Sequence, residues 1–254
     1  MLNMITHGEP TDLQPLLIVH GLYGSARNWG VVAKKLSDER QVFAVDMRNH
    51  GNSDWQDSHS YPDLAADLAE VLDHIGPADM LGHSMGGKAS MMAALAHSNL
   101  VKRLIVADIA PVTYGHTQLP FIHAMKKVDL SRVEKRSDAL AQLEAAGVDD
   151  PTLRSFFTQS LDLKAHKWRL NLDVLETEMP KIMGFPEDIS GSFEAPALFL
   201  SGANSDYVLP EHRDKIRSLF PKAKFVKMSG VGHWLHAEKP AEFIATVRAW
   251  LARA

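Results

Sequence analysis

Six short apolar runs, each followed by turn-forming residues, recur along the chain. Ile, Val, Leu and Phe dominate these runs, which have the length and composition of strands buried on both faces of a parallel sheet. Helical stretches separate them, and residues 61–75 carry apolar side chains at steps of three and four along one face. The alternation predicts an α/β fold with a mostly parallel sheet flanked by helices. The runs are residues 16–19, 42–45, 78–81, 104–107, 197–200 and 224–227, of which the last is the most edge-like.

The alternation stops after about residue 110, where helical patterns continue without a convincing strand. An insertion at this point lies over the carboxyl ends of the strands, where open α/β sheets bind ligands, so we interpret it as a cap. A separate helical domain is disfavoured, because its helices have few large apolar residues and several charges. The prediction is a core of residues 1–110 and 193–254, a cap of residues 111–192 inserted after the sixth core strand, and cap helices over residues 137–146, 151–161 and 168–175.

Charge and cysteine content exclude several function classes. The 254 residues include 27 Lys and Arg against 31 Asp and Glu, a net charge of −4, which gives no basic surface for a nucleic acid. The chain has no cysteine, so thiolate nucleophiles and Cys-ligated metals are excluded and a reducing compartment is favoured. No stretch reaches the ~18 apolar residues of a membrane helix, and the start of the chain does not resemble a secretion signal. We expect a cytoplasmic protein without a membrane or nucleic acid partner; a monomer is compatible with the sequence.

The segment Gly82-His83-Ser84-Met85-Gly86 matches the G-x-S-x-G pattern between a strand-like run and an Ala- and Met-rich helical run. A serine on such a sharp turn is lifted clear of the sheet, and the flanking glycines are needed where a Cβ would collide with neighbouring elements. The pattern therefore predicts Ser84 as a nucleophile. The N–H of Met85, at the start of the helix, can stabilise charge on a substrate oxygen.

A serine hydroxyl needs a base, and His233 is the best candidate of the 13 histidines. It lies in a glycine-rich loop after the last strand-like run, and the order serine before histidine agrees with the hydrolase arrangement. Four other histidines lie beside motif glycines or at loop ends, and we expect them to form local hydrogen bonds. They are His20, His50, His83 and His236.

Two further loops follow strand-like runs. The His20 to Gly24 loop is where we place the second oxyanion-hole donor, the N–H of Leu22. The loop from Asp46 to Ser53 is interpreted as loop architecture, with Asp46 and Arg48 paired internally.

The acid that orients His233 is less determined, because Asp108 and Asp206 both follow strand-like runs. Counted from Gly202, Ser205 occupies the usual position of the acid, whereas counted back from Pro210 that position belongs to Asp206. Adjacent parallel strands lie ~4.8 Å apart, so a carboxylate at either strand end can reach the histidine. Spacing leaves both aspartates open.

With these residues in place, the chain resembles the α/β-hydrolase superfamily, and within it the small capped bacterial esterases of the YbfF type and their mitochondrial relatives. The resemblance implies Asp108 as the acid with Ser205 in support, although Asp206 directly after the Asn-Ser pair stays an alternative. Six segments carry it: HGLYGSARNW (20–29), DMRNHGNS (46–53), GHSMGGK (82–88), DIAPVTY (108–114), GANSDYV (202–208) and GHWLHAEKP (232–240).

We therefore expect a serine carboxylic-ester hydrolase that forms an acyl-enzyme, acts on small acyl esters and also on thioesters, and needs no metal or organic cofactor. The same triad serves C–C bond hydrolysis, acyl transfer and perhydrolysis, which stay open as alternatives. A non-catalytic ligand binder is disfavoured, because such proteins usually lose a triad member. Tyr207 and Trp234 are predicted to line an apolar pocket for short to medium acyl chains, with packing of Trp234 against its own loop as the alternative.

Overall fold

A computed structural model describes residues 1–252 and contains a seven-stranded sheet in the order β1-β3-β2-β4-β5-β8-β9. The first strand pairs antiparallel with β3, and every other pairing is parallel. The edge position predicted for the run at 224–227 is confirmed, because β9 lies at the end of the sheet. The strands are β1 (Met4–His7), β2 (Leu16–Val19), β3 (Val42–Val45), β4 (Ala78–His83), β5 (Val101–Ala107), β8 (Ala197–Gly202) and β9 (Ala223–Met228).

The central strands β2, β3 and β4 are buried on both faces, as the apolar sequences of β2 and β3 predict, and β4 also buries Asp79. Successive side chains of a strand point to opposite faces, and in β2 Leu17 and Val19 belong to one apolar cluster while Leu16 and Ile18 belong to the other. Helices cover both clusters, so the two cores hold the sheet between them. The helices outside the cap are α1 (Gly30–Leu36), α2 (Tyr61–Ile75), α3 (Met85–Ala96), α9 (Arg213–Leu219), α10 (Leu235–Glu238) and α11 (Pro240–Leu251).

The segment between β5 and β8 is mainly helical, and it includes the residues predicted as a cap. It also contains a two-stranded antiparallel hairpin, so the expectation that this segment lacks strands is wrong. The hairpin strands have only two residues each, too few for a period-two pattern to be visible in the sequence. The elements are α4 (Leu119–Lys126), α5 (Arg136–Ala145), α6 (Pro151–Thr158), β6 (Leu161–Asp162), β7 (Lys167–Trp168), α7 (Leu172–Thr177) and α8 (Met179–Met183).

The cap segment follows the fifth strand of the chain rather than the sixth, so the predicted strand count is wrong. Four of the predicted apolar runs precede the cap segment, and the structure adds only β1 before them. The predicted helix at 151–161 ends at Thr158, and the one at 168–175 begins only at Leu172, because β6 and β7 take the residues between them.

Buried polar contacts fix the cap on the core. The Tyr61 hydroxyl donates to the carbonyl of Ile182 at 2.6 Å, and the Ser160 hydroxyl donates to the carbonyl of Tyr23 at 2.9 Å. Each bond joins a cap residue to a loop or helix at the carboxyl edge of the sheet, so the cap is held over the strand ends. No helix within residues 1–252 is both long and apolar enough to cross a membrane.

Candidate active site

Ser84 lies at the turn between β4 and α3 with φ 53° and ψ −123°, a strained conformation for a residue with a side chain. Its N–H donates to the carbonyl of Ala107 on β5 at 3.0 Å, which anchors the turn to the sheet. A Cβ on Gly82 would lie 2.3 Å from the carbonyl oxygen of Gly86, and one on Gly86 would lie 2.3 Å from that of His20. The glycines therefore allow β2, β4 and α3 to approach closely, as the sequence pattern predicts.

Asp108 follows β5 directly and is fully buried. Its Oδ1 accepts a hydrogen bond from the N–H of Gly202 at 3.0 Å. Its Oδ2 accepts from the Ser205 hydroxyl at 2.5 Å and lies 2.7 Å from Nδ1 of His233. Three donors thus surround one carboxylate, which fixes its orientation.

The contact between His233 and Asp108 determines where the imidazole carries its proton. A carboxylate only accepts hydrogen bonds, so Nδ1 is the donor and Nε2 of the neutral ring is left as an acceptor. The backbone carbonyl of His233 in turn accepts from Nε2 of His83 at 2.9 Å. His233 and Ser84 both line the same cavity.

Ser205 and Asp206 are adjacent but differ in exposure. Ser205 is buried and donates to Asp108, whereas Asp206 is exposed. The structure thus brings Asp108, Ser205 and His233 together and leaves the alternative acid, Asp206, on the surface.

The loop that carries Leu22 is held beside the elbow by a buried histidine. Nε2 of His20 accepts from the N–H of Met47 at 2.9 Å, and Nδ1 lies 2.7 Å from the carbonyl oxygen of Gly21. Burial lowers the pKa of His20, so the ring is neutral with its proton on Nδ1. Leu22 and Met85, the predicted oxyanion-hole residues, both line the cavity that contains Ser84.

A cavity of about 260 Å³ lies between the elbow and the cap. Tyr207 and Trp234 line it, as do the side chains of several cap helices. Trp234 also packs edge-on against Phe156 of α6 at 4.3 Å between ring centroids, so it contacts the cap as well as the cavity. The apolar cap residues of the wall are Phe121, Leu153, Phe156, Phe157, Ile182 and Met183. Within residues 1–252 no group of three or more histidine or carboxylate side chains could hold a metal ion.

The sequence profile of the alpha/beta hydrolase family matches residues 16–246. The chain belongs to this family. Mouse sn-1-specific diacylglycerol lipase ABHD11 is 39% identical over 256 residues, which cover 96% of this chain and 83% of the mouse protein. Esterase YbfF of Escherichia coli (strain K12) is 38% identical over 246 residues, which cover 93% of this chain and 92% of the relative. A solved structure described as a marine microorganism esterase has a TM-score of 0.92 at 38% identity and covers 98% of both chains. The predicted α/β-hydrolase fold and the resemblance to YbfF-type esterases are confirmed.

Several buried histidines surround the site of this family member without carrying charge. Burial lowers the pKa of His59 and of His236 to about 3 and holds that of His83 well below its usual value. His236 stacks on Trp29 at 4.2 Å, and His83 lies 4.7 Å from the ring of His233. The expected local role of His83 agrees with its bond to the carbonyl of His233.

The Asp46 to Ser53 loop is structural, but Asp46 and Arg48 do not pair with each other as predicted. Asp46 accepts from the N–H groups of Ala26 and Asn52 at 2.8 and 2.9 Å. Arg48 forms two hydrogen bonds to Asp67 on α2, at 2.6 and 2.7 Å. Asp46 and Arg48 are two residues apart in an irregular loop, so their side chains point to different neighbours. The pairing predicted from their spacing is therefore wrong.

Lys88 on α3 lines the cavity, although the sequence did not single it out, because a lysine after a motif glycine usually lies on the surface. It is 1% exposed. Its Nζ donates to the carbonyls of Met183 and Gly184 at 3.0 and 2.6 Å and lies 4.7 Å from the ring centroid of Tyr114. Lys88 therefore ties the end of the cap to the helix that follows Ser84.

Burial lowers the pKa of Lys88 from 10.5 to about 7, which predicts a pH dependence of stability. Below pH 7 both folded and unfolded chains hold this proton; between about pH 7 and 10.5 only the unfolded chain does. The free energy of unfolding of the wild-type protein, relative to that of Lys88→Met, should therefore rise by about 1.4 kcal/mol per pH unit between about pH 7 and 10.5. Below pH 7 this difference should not change with pH. Urea unfolding of both proteins at pH 6, 8 and 9.5 measures the difference. If the free energies of unfolding of the two proteins change with pH in parallel, the Lys88 ammonium stays charged in the folded protein and the prediction is wrong.

Proposed function

We propose that this family member is a serine hydrolase of carboxylic esters in which Ser84 is the nucleophile, His233 the base and Asp108 the acid. The observation that carries the proposal is the contact at 2.7 Å between the buried Asp108 and His233, which lines the same cavity as the elbow serine. The names of the relatives, an esterase and a diacylglycerol lipase, agree with ester hydrolysis. We further propose a cytoplasmic setting, which the cysteine-free composition fits.

In the first half-reaction, the Ser84 hydroxyl attacks the ester carbonyl carbon while Nε2 of His233 takes the hydroxyl proton. The tetrahedral intermediate collapses by breaking the bond to the alkoxy oxygen, which receives that proton from His233 and leaves as the alcohol. Water then attacks the acyl-enzyme with the same proton transfers, and the acid and free Ser84 are released. Asp108 orients His233 and stabilises the imidazolium formed in each step.

The negative charge on the carbonyl oxygen needs two preorganised donors, and we assign them to the backbone N–H groups of Leu22 and Met85. Met85 is the first residue of α3, so its N–H has no partner within the helix and the helix dipole favours a negative charge there. Leu22 lies on the loop fixed by His20 and lines the same cavity as Met85. Donors of this kind contribute about 10²–10³ in kcat each.

The size and lining of the cavity predict a preference for acyl chains of about two to eight carbons. Besides Tyr114 and Gln118, the cap contributes phenylalanine, leucine, isoleucine and methionine side chains to the cavity wall, so each additional methylene against them gains about 0.8 kcal/mol, or roughly fourfold in kcat/KM, until the space is filled. A series of p-nitrophenyl esters from acetate to palmitate measures this dependence.

Two outcomes of the series contradict the proposal. Activity that continues to rise up to palmitate would indicate an open groove instead of a closed cavity. A protein that binds the esters but releases no alcohol would be a ligand binder and not an enzyme.

A further inference from the structure

Tyr207 makes a face-to-face contact with the proposed base. Its ring centroid lies 4.1 Å from that of His233, and the two planes are inclined by only 26°. Tyr207 is half-buried on the loop after β8, two residues beyond Ser205. The stack therefore involves the same imidazole that Asp108 holds through Nδ1.

The backbone of Tyr207 is fixed on both sides. Its N–H donates to the Ser205 hydroxyl oxygen at 3.3 Å, and that hydroxyl donates to Asp108. Its carbonyl accepts from the Tyr114 hydroxyl at 2.7 Å. The Tyr114 ring also packs edge-on against the Tyr207 ring, with 5.1 Å between their centroids. The aromatic ring is thus held at a set position relative to the acid.

The phenol hydroxyl of Tyr207 makes separate contacts. It lies 3.0 Å from Nε2 of His116 and 3.5 Å from Nε2 of Gln118. Both partners belong to the segment between β5 and α4, where the chain enters the cap. The ring contact to His233 and the hydroxyl contact to the cap can therefore be removed independently.

We propose that Tyr207 is a positioning residue that holds the imidazole of His233 in the plane needed for proton transfer and stabilises its charged form. The contact to Asp108 fixes only one ring nitrogen of His233, so the imidazole can still tilt about that contact. A stacked aromatic ring restricts the remaining tilt of the imidazole. Its negative face also favours the imidazolium that forms while Ser84 attacks.

This role differs from that of a pocket wall. A wall residue contacts substrate, so its loss changes KM or the acyl-chain preference. A residue that acts through His233 lowers kcat for every ester by the same factor, because the base is common to all of them.

Kinetics of four variants test the proposal, which rests on the proposed ester hydrolysis. Tyr207→Leu and Tyr207→Met remove the ring, Tyr207→Phe removes only the hydroxyl, and His116→Ala removes the hydroxyl's partner. We expect the two ring-less variants to lose about 10- to 50-fold in kcat with KM within about threefold, for acetate and hexanoate esters alike. Tyr207→Phe, which keeps the ring, should lose much less kcat than the two ring-less variants and should match His116→Ala.

The proposal is overturned if the ring-less variants retain kcat, if their defect lies in KM, or if it depends on acyl length. It is also overturned if Tyr207→Phe is as impaired as Tyr207→Leu. Thermal unfolding of each variant identifies any that fail to fold, and the second ring-less variant then provides the measurement.

A readout independent of activity separates this proposal from the proposed function. Stacking at this distance shifts the ring protons of His233 upfield in the NMR spectrum of the histidine-labelled protein, and the shift should disappear in Tyr207→Leu but persist in Tyr207→Phe. Absence of the shift in the wild-type protein overturns the positioning role whether or not esters are hydrolysed. Failure of the wild-type protein to hydrolyse any ester, with the ring-current shift present, contradicts the proposed function alone.

Discussion

Ser84→Ala is expected to lower kcat for ester hydrolysis by about 10⁴- to 10⁶-fold, the largest effect of any single substitution in this chain. Without the hydroxyl no acyl-enzyme can form, and only the contribution of the oxyanion hole and of substrate binding is left. The fold should persist. The strained φ of 53° is carried by the backbone and Cβ, both of which alanine retains, and the N–H bond to Ala107 is unaffected.

A fluorophosphonate probe followed by mass spectrometry measures the same prediction directly. The wild-type protein should be labelled on the peptide that contains Ser84, and Ser84→Ala should not be labelled. Ser90→Ala is the matched control, because Ser90 lies on the same helix and its hydroxyl donates to the backbone carbonyl of Gly86. An adduct on another residue, or hydrolysis that survives in Ser84→Ala, contradicts the assignment of the nucleophile.

The sequence predicts the parts of the fold whose information is local. The buried strands β2 and β3 are continuous apolar runs, β5 and β8 contain such runs, and the elbow is encoded by glycines that no other residue can replace sterically. Strand β1 was not predicted, because its four residues include Thr6 and His7 and lie at a half-exposed sheet edge. The helix α4 was also not predicted.

Which residues form the site depends more on tertiary structure than the positions of the strands and of the elbow do. Nucleophile and base follow from motifs, but the contact between Asp108 and His233 joins residues 125 positions apart. The same is true of the Tyr207 ring on His233 and of the Lys88 ammonium against the end of the cap. Contacts of this kind follow from how loops converge at the sheet edge, which spacing within a single loop does not specify.

Asp108→Asn is expected to lower kcat by about 10⁴-fold, as loss of the acid does in serine proteases. The three hydrogen bonds to the carboxylate explain why an isosteric amide cannot replace it. If the amide oxygen accepts from Gly202, the NH₂ group faces His233 and forces its proton from Nδ1 to Nε2, the wrong tautomer for a base. If the amide is flipped, the NH₂ group faces the N–H of Gly202, and two buried donors are left opposed at a cost of about 1–3 kcal/mol.

Asp206→Asn is the matched comparison, because it makes the same chemical change on an exposed side chain of the loop after β8, directly between Ser205 and Tyr207. Its kcat on the same short-chain ester should stay within about threefold of wild type, since surface substitutions away from a site have small effects. Ser205→Ala should lie between the two, because it removes one of three donors to Asp108 and leaves the carboxylate in place. If Asp206→Asn loses most of its kcat while Asp108→Asn stays near wild type, the loop after β8 rearranges on substrate binding and brings Asp206 to His233. The acid would then be the one that the spacing from Pro210 favours.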